Sequence, residues 1–336
     1  MTPKNHIIPV FVPHLGCPNA CVFCNQRRIS GVVNHTRPCD VEHILADGLK
    51  KIKAPAAELA FYGGSFTAIP VEEQQMLLGA AVPFLRSGAL SSVRISTRPD
   101  CIDEDTLERL KKFGVGTIEL GVQSLDEKVL EASNRGHSAA DAIRAAHLIK
   151  SEGFRLILQM MTGLPHDTPE KSKITARRFA EMSPDGVRIY PTVVIRDTEL
   201  YDMWRAGSYK EHTVEEAVLL CAELLDIFDE YGIPVIRLGL NPTDELSGGA
   251  AVAGAYHPAF GELVASERYL GRARTALSNT GSGERVTLFV ARGQTSAMTG
   301  QRQRNIAVLK GEFGITNLRV RETDMEKGKV VARVDS

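Results

Sequence analysis

What most constrains the fold of this chain is a rhythm. Short runs rich in apolar and β-branched residues alternate with longer segments whose apolar residues fall three and four apart, up to about residue 240. Parallel strands joined by crossover helices produce this pattern, because parallel neighbours cannot be linked by a tight hairpin. Strands are expected near residues 7–13, 58–62, 92–97, 117–122, 155–161, 186–194 and 234–238, with helices near 41–52, 71–86, 103–113, 138–152, 169–182 and 213–231. Helix ends are well signalled: Asp103-Glu104-Asp105 places acids in a first turn, Thr168-Pro169 offers a cap followed by proline, and Gly114, Gly153 and Gly232 stand where C-caps belong. The expected fold class is α/β, a partial or full (β/α) barrel over residues 1–242, with a doubly wound sheet as the alternative.

After Pro242 the rhythm changes, and residues 243–336 read as a small C-terminal α/β module that closes the barrel. A strand at Val286–Val290, a helix at Ser296–Gly311 and a hairpin made of Leu318–Arg321 and Lys329–Val334 are expected there. The whole chain is almost neutral, with 40 Lys and Arg against 41 Asp and Glu, which excludes a general polyanion binder. The charge is unevenly spread: Arg285 onward holds 10 basic and 5 acidic residues. A basic face including Arg302 and Arg304 could meet RNA, and an ordinary solvated surface is the competing expectation. No signal sequence or membrane-length apolar run is evident, so a cytoplasmic protein with no membrane partner is expected.

Three of the six cysteines cluster as Cys17-x3-Cys21-x2-Cys24, directly after the first strand, in a loop whose Gly16, Pro18 and Asn19 favour turns. Three thiolates from one short loop suit three irons of a [4Fe–4S] cluster and leave the fourth open; structural zinc would want a fourth ligand. Cys39, Cys101 and Cys221 are scattered and read as small core residues. After the second strand, Gly63-Gly64-Ser65 gives a backbone that a ligand can approach closely.

This cysteine spacing at the end of a first barrel strand resembles the radical S-adenosylmethionine (SAM) superfamily. Five further motifs, Gly63 to Pro70, Thr97-Arg98-Pro99-Asp100, Gly121-Val122-Gln123-Ser124, Asn134-Arg135-Gly136-His137 and Tyr190 to Arg196, resemble the radical SAM core of the Elongator catalytic subunit family, in order, over residues 1 to about 240. The resemblance implies a [4Fe–4S] cluster on Cys17, Cys21 and Cys24, reductive cleavage of SAM to a 5′-deoxyadenosyl radical, a reductant such as flavodoxin or ferredoxin, and tRNA wobble-uridine modification. It further implies that Phe23 lies near the adenine and that the Gly63-Gly64-Ser65 backbone receives the SAM amino group. Gln123 and Arg135 would meet SAM, Arg135 through its carboxylate, and Met161 would pack on the adenine.

Ser96 and Gln159 stand at SAM-contact positions where relatives carry acids. Tyr190, Thr192 and Arg196 are the substrate-side candidates, and His14 is a candidate support for the cluster. His257 belongs to a conspicuous polar element, His257 to Glu262, for which helix capping is the simplest role. The family's acetyltransferase domain has no counterpart after Pro242, so the expected activity is the radical step alone. The alternatives are a porphyrinogen-type or methylthiotransferase-type radical SAM activity, or a non-catalytic protein that binds an Fe–S cluster, SAM or RNA.

Overall fold

A computed structural model of the chain describes residues 6–12, 17, 20–25, 36–52, 57–243 and 246–335. The expected turn residues Gly16, Pro18 and Asn19, and His14, lie outside the described residues. The chain divides into two compact units, residues 1–213 with 226–256, and residues 214–225 with 257–336.

The strands of the first unit are β1 (His6–Phe11), β2 (Ala57–Tyr62), β3 (Leu90–Thr97), β4 (Val115–Gln123), β5 (Arg155–Thr162), β6 (Gly186–Pro191), β7 (Val193–Ile195), β8 (Val235–Leu238) and β9 (Ala251–Gly254). Seven of them form one parallel sheet in the order β1-β2-β3-β4-β5-β6-β8, a curled half-barrel of the radical SAM type. It is the partial form of the expected barrel, with β1 and β8 at its edges. The short β7 leaves this sheet to pair antiparallel with β9.

Local chemistry explains the crossovers. Asp103, Ser138 and Thr168 each accept a backbone N–H of the first helical turn that follows them. Gly114, Gly153 and Gly232 sit at φ of +77°, +81° and +67°, the left-handed conformation that ends a helix. The outward side of the strands is apolar: Leu59, Ile95, Ile118, Leu156, Leu158 and Val187 are buried beneath the helices.

The concave side is charged. Strand register places Glu58 with Ser92, Ala60 with Arg94, Ser96 with Glu119, Gly121 with Gln159, Gln159 with Arg188 and Met161 with Tyr190 on this one face. Arg94 reaches Glu58 at 2.6 Å and Glu119 at 2.7 Å, and all three side chains are almost wholly buried. Arg188 then donates to the same Glu119 oxygen at 2.8 Å and to the Tyr62 hydroxyl at 2.9 Å. Unpaired, any of these charges would be costly to bury; alternating Glu58, Arg94, Glu119 and Arg188 makes the wall neutral.

In the second unit β10 (Arg285–Ala291) is central, with β11 (Asn317–Thr323) parallel on one side and β12 (Val330–Val334) antiparallel on the other. The two last strands therefore do not form the expected hairpin. Helices between β10 and β11 carry the chain back across the sheet and make that pair parallel, which leaves the opposite edge of β10 for β12. The expected single helix at Ser296–Gly311 is two, Thr295–Thr299 and Arg304–Phe313. Between them Gly300, Arg302 and Gln303 take positive φ, and the buried Asn305 amide donates to Ser266 and Met298 carbonyls, pinning the break. Both helices and the helix Phe260–Leu277 cover one face of the sheet around Leu288, Leu270, Met298 and Leu309. Residues 260–277 form the longest helix of this unit. His257 Nδ1 accepts the N–H of Ala259, the residue just before this helix, and the first-turn N–H groups carry no side-chain cap.

Candidate active site

The cysteine loop is tied down by residues distant in sequence. Val22 N–H donates to the Ser133 carbonyl at 3.2 Å, Leu200 N–H donates to the Val22 carbonyl at 2.8 Å, and Asn134 Nδ2 donates to the Ala20 carbonyl at 2.8 Å. Asn25 Nδ2 donates to the Asp197 carbonyl at 3.2 Å. The Asn134-Arg135 motif and the start of the helix Glu199–Arg205 thus clamp the loop from two sides. Asn134 takes φ +51°, tolerable for asparagine, and this turns its side chain back to the loop.

The thiols are half-buried and surrounded by donors. Arg135 Nη1 donates to Cys21 Sγ at 3.1 Å, and its Nη2 donates to the Gly121 carbonyl. Burial, followed by the neighbouring Cys21, pushes the Cys17 thiol up, against the pull of Arg98, Arg135 and a hydrogen bond from the Ser65 backbone. Among the described residues no three His, Cys, Asp or Glu side chains converge as a set of metal ligands. The donor set nevertheless fits a [4Fe–4S] cluster: the loop supplies three thiols, of which Cys17 and Cys21 lie beside the Arg98 and Arg135 guanidiniums and Cys17 also beside a backbone N–H, which stabilise negative sulfur.

A continuous network joins the expected motifs. Ser65 Oγ is 2.9 Å from Thr97 Oγ1 and accepts the Arg98 N–H at 3.2 Å. Arg98, paired with Asp100 at 2.9 Å, donates to the Arg135 carbonyl at 2.5 Å. Gly63 and Gly64 take φ of +86° and +68°, so the backbone after β2 has the open, left-handed turn that paired glycines allow. At the end of β4 a register shift between Gly121 and Gln123 puts Gln123 at φ +72°, and Gln159 Nε2 donates to its Oε1 at 3.3 Å. A Cβ on Gly121 would stand 3.3 Å from Gln123 Nε2 and 3.5 Å from Arg135 Nη2, so a larger residue here would ask the Gln123 amide to shift by a few tenths of an ångström.

The other expected residues stand in varied surroundings. Phe23 packs against Val22, Val194, Leu200 and Tyr209 in an apolar cluster. Thr192 is fully buried, with its hydroxyl donating to the Thr162 carbonyl at 2.7 Å, so it holds the β6–β7 turn and offers nothing to a substrate. Arg196 is exposed and donates to the Gly249 carbonyl at 3.1 Å. Ser96 and Met161 are half-buried on the concave face, and Tyr190 accepts from Arg188 Nη1 at 3.3 Å.

Among the remaining cysteines only Cys221 is buried. Cys39 is exposed. Cys101 is half-buried beside the site, where burial and then Asp100 raise its thiol against the pull of the Ser65 hydroxyl. In the second unit Arg302 and Arg304 lie in the helix layer, where Arg304 is 3.6 Å from Glu267, so the basic residues from Arg285 onward do not all gather on one face.

Sequence reasoning missed Glu58, Tyr62, Arg94, Glu119 and Arg188. Their signal was present: a charged residue in the middle of a strand otherwise buried on both faces demands a partner. Burial, with the Glu119 charge next, pushes the Tyr62 hydroxyl up to about 12, so it stays protonated and donates to Glu119.

Comparison with known proteins gives the family. The radical SAM superfamily profile matches residues 11–179, and the radical SAM C-terminal domain profile matches residues 184–270. The chain belongs to the radical SAM superfamily, whose enzymes use a [4Fe–4S] cluster and SAM.

It is 32% identical over 253 residues to the tRNA uridine(34) acetyltransferase of Methanocaldococcus infernus, covering 63% of this chain and 47% of that one. With human Elongator complex protein 3 it shares 37% identity over 136 residues, 40% of this chain and 25% of that one. The solved structure of Methanocaldococcus infernus Elp3 with an N-terminal deletion superimposes with a TM-score of 0.61 at 25% identity, covering 80% of this chain and 63% of that one. The chain therefore spans less than half the length of these two curated relatives. Among the described residues no helix is long and apolar enough to cross a membrane.

Proposed function

We propose that this radical SAM enzyme modifies a uridine base in tRNA. The observation that carries this reading is the continuity of the site: the motifs shared with the Elongator-type core form one connected set, from Ser65 through Thr97, Arg98 and Arg135 to Cys21. Relatives named for tRNA uridine chemistry support the choice of substrate.

Cys17, Cys21 and Cys24 would hold the cluster. When bound there, the cluster would supply the electron for reductive cleavage of SAM, the source of the 5′-deoxyadenosyl radical. The Gly63-Gly64-Ser65 turn would receive the SAM amino group, with Ser96, Gln123 and Gln159 beside it and Met161 against the adenine. Arg135, which donates to Cys21 and Gly121, would position the loop and hold its guanidinium where the SAM carboxylate can meet it.

Tyr190 faces the substrate in this reading. Its oxygen accepts from Arg188, a group that can only donate, so its own proton is left to donate to a carbonyl such as that of a uracil ring. Electrons would come from a flavodoxin- or ferredoxin-type reductant.

The test is to incubate the reconstituted protein with SAM, dithionite and total tRNA, then analyse products and nucleosides by mass. Expected are 5′-deoxyadenosine, methionine and an altered uridine nucleoside. SAM cleavage with unaltered tRNA would overturn the substrate, and no cleavage at all would overturn catalysis.

A further inference from the structure

The three-stranded sheet of the second unit has two unlike faces. Val286, Leu288, Val290, Leu318, Val320, Val330 and Ala332 point into the core beneath the helices. Alternation puts Arg285, Thr287 and Phe289 of β10 on the other face, and register sets Arg319 and Arg333 on either side of Thr287, and Arg321 and Val331 on either side of Phe289. Arg285, Arg319, Arg321 and Arg333 are exposed, and Phe289 is half-exposed. The Arg333 guanidinium lies over the Phe289 ring, 5.0 Å from its centroid.

We propose that this open sheet face is a docking surface for an unpaired segment of RNA. The inference deepens the tRNA reading and rests on it for the kind of nucleic acid.

Charge complementarity selects the partner. Four guanidiniums stand on a three-stranded patch, and Asp335, which accepts from Thr287 Oγ1 at 2.9 Å, is the acid that register places beside them. No ion pair engages Arg285, Arg319 or Arg321 among the described residues, so their charge is available to phosphates. An aromatic ring in the middle of such a set adds what an acidic protein would not need, a surface on which a base can stack. The Arg333 guanidinium, held over the Phe289 ring, is a planar cation on which an unpaired base can stack, with the ring backing it. A paired helix buries its bases and could use only the charges.

The experiment measures fluorescence anisotropy of a labelled oligouridine about 12 nucleotides long, near the span one binding module covers, with the full chain across a salt series. A duplex RNA of equal length and a poly-glutamate peptide are measured beside it. Three variants are compared: Phe289→Leu, the pair Arg319→Gln with Arg321→Gln, and, from the helix layer, the pair Arg302→Gln with Arg304→Gln. Thermal melting shows which variants fold.

Oligouridine should bind more tightly than duplex or peptide. The Arg319 and Arg321 pair should flatten the slope of log affinity against log salt by about 1.4, at roughly 0.7 for each phosphate no longer neutralised. Phe289→Leu should weaken binding by about five- to 150-fold while leaving the slope alone. The helix-layer pair should change little.

No binding at about 50 mM salt, equal or tighter binding of duplex or poly-glutamate, or equal losses from the two arginine pairs would overturn the docking surface. Should Phe289→Leu fail to fold, the arginine pairs decide. If tRNA is modified equally well by the sheet variants, the surface falls and the tRNA reading stands. If oligouridine binds as expected but no tRNA nucleoside is altered, the tRNA reading falls and the surface stands.

Discussion

Arg135 Nη1 sits 3.1 Å from Cys21 Sγ, joining a motif at residues 134–137 to the cysteine loop more than a hundred residues earlier. A positive charge against a cluster ligand favours the more reduced, more negative state. Arg135→Gln is therefore expected to lower the reduction potential of the reconstituted cluster and slow SAM cleavage, with Arg135→Lys intermediate. Redox titration followed by electron paramagnetic resonance checks this, and an unchanged potential would separate Arg135 from the cluster.

Each thiol of the loop is expected to be indispensable. Cys17→Ala, Cys21→Ala and Cys24→Ala should each lose the brown chromophore and SAM cleavage, whereas Cys39→Ala and Cys221→Ala should retain iron. Iron analysis after anaerobic reconstitution decides; a single loop variant with four irons and full cleavage would refute the assignment.

Glu119 holds the middle of the charged wall, receiving Arg94 at 2.7 Å and Arg188 at 2.8 Å. Glu119→Gln leaves two buried guanidiniums short of one negative charge, and a loss of about 3–5 kcal/mol is expected in urea unfolding. Tyr62→Phe removes only a hydroxyl and should cost about 1 kcal/mol. Equal effects from the two would show that the wall is not an electrostatic unit.

His137 gives a pH signature. Burial, then the neighbouring Arg135, lowers its pKa from 6.5 to about 4, and its Nε2 is 3.3 Å from the Val122 carbonyl. Between those values the unfolded chain binds a proton that the folded chain refuses, so stability falls as pH drops from about 6.5 towards 4. The full swing is on the order of 3 kcal/mol. His137→Gln should flatten that part of the stability curve, as measured by denaturant midpoints at about pH 7, 6 and 5.

The elements of the half-barrel were legible because burial on one side imposes a period and caps leave a chemical signature; Asp103, Thr168 and Gly114 mark their helix ends in the sequence as they do in space. The cysteine loop and the Gly63-Gly64 turn were legible because few residue types serve those purposes. Arg135 was found, but its immediate partner was not, since a contact from residue 135 to residue 21 depends on how strands β1 and β4 are brought round. Thr192 shows the converse: a strand-end hydroxyl looks available in sequence, and only the Thr162 carbonyl reveals that it is spent. The β11-β10-β12 order was hidden because two adjacent alternating runs read as a hairpin whether or not a third strand lies between them.

The charged wall of the half-barrel has a consequence for how such a scaffold can change its chemistry. Its deeper rungs, Glu58 with Arg94, and Glu119 with Arg94 and Arg188, satisfy one another. Its upper rung, Tyr62 and Tyr190, borrows orientation from Arg188 without carrying the balance of charge. Foundation and fittings are thus separate. In the reading proposed above, substrate preference can drift through the upper rung alone, one neutral side chain at a time, while the foundation of paired charges remains untouched.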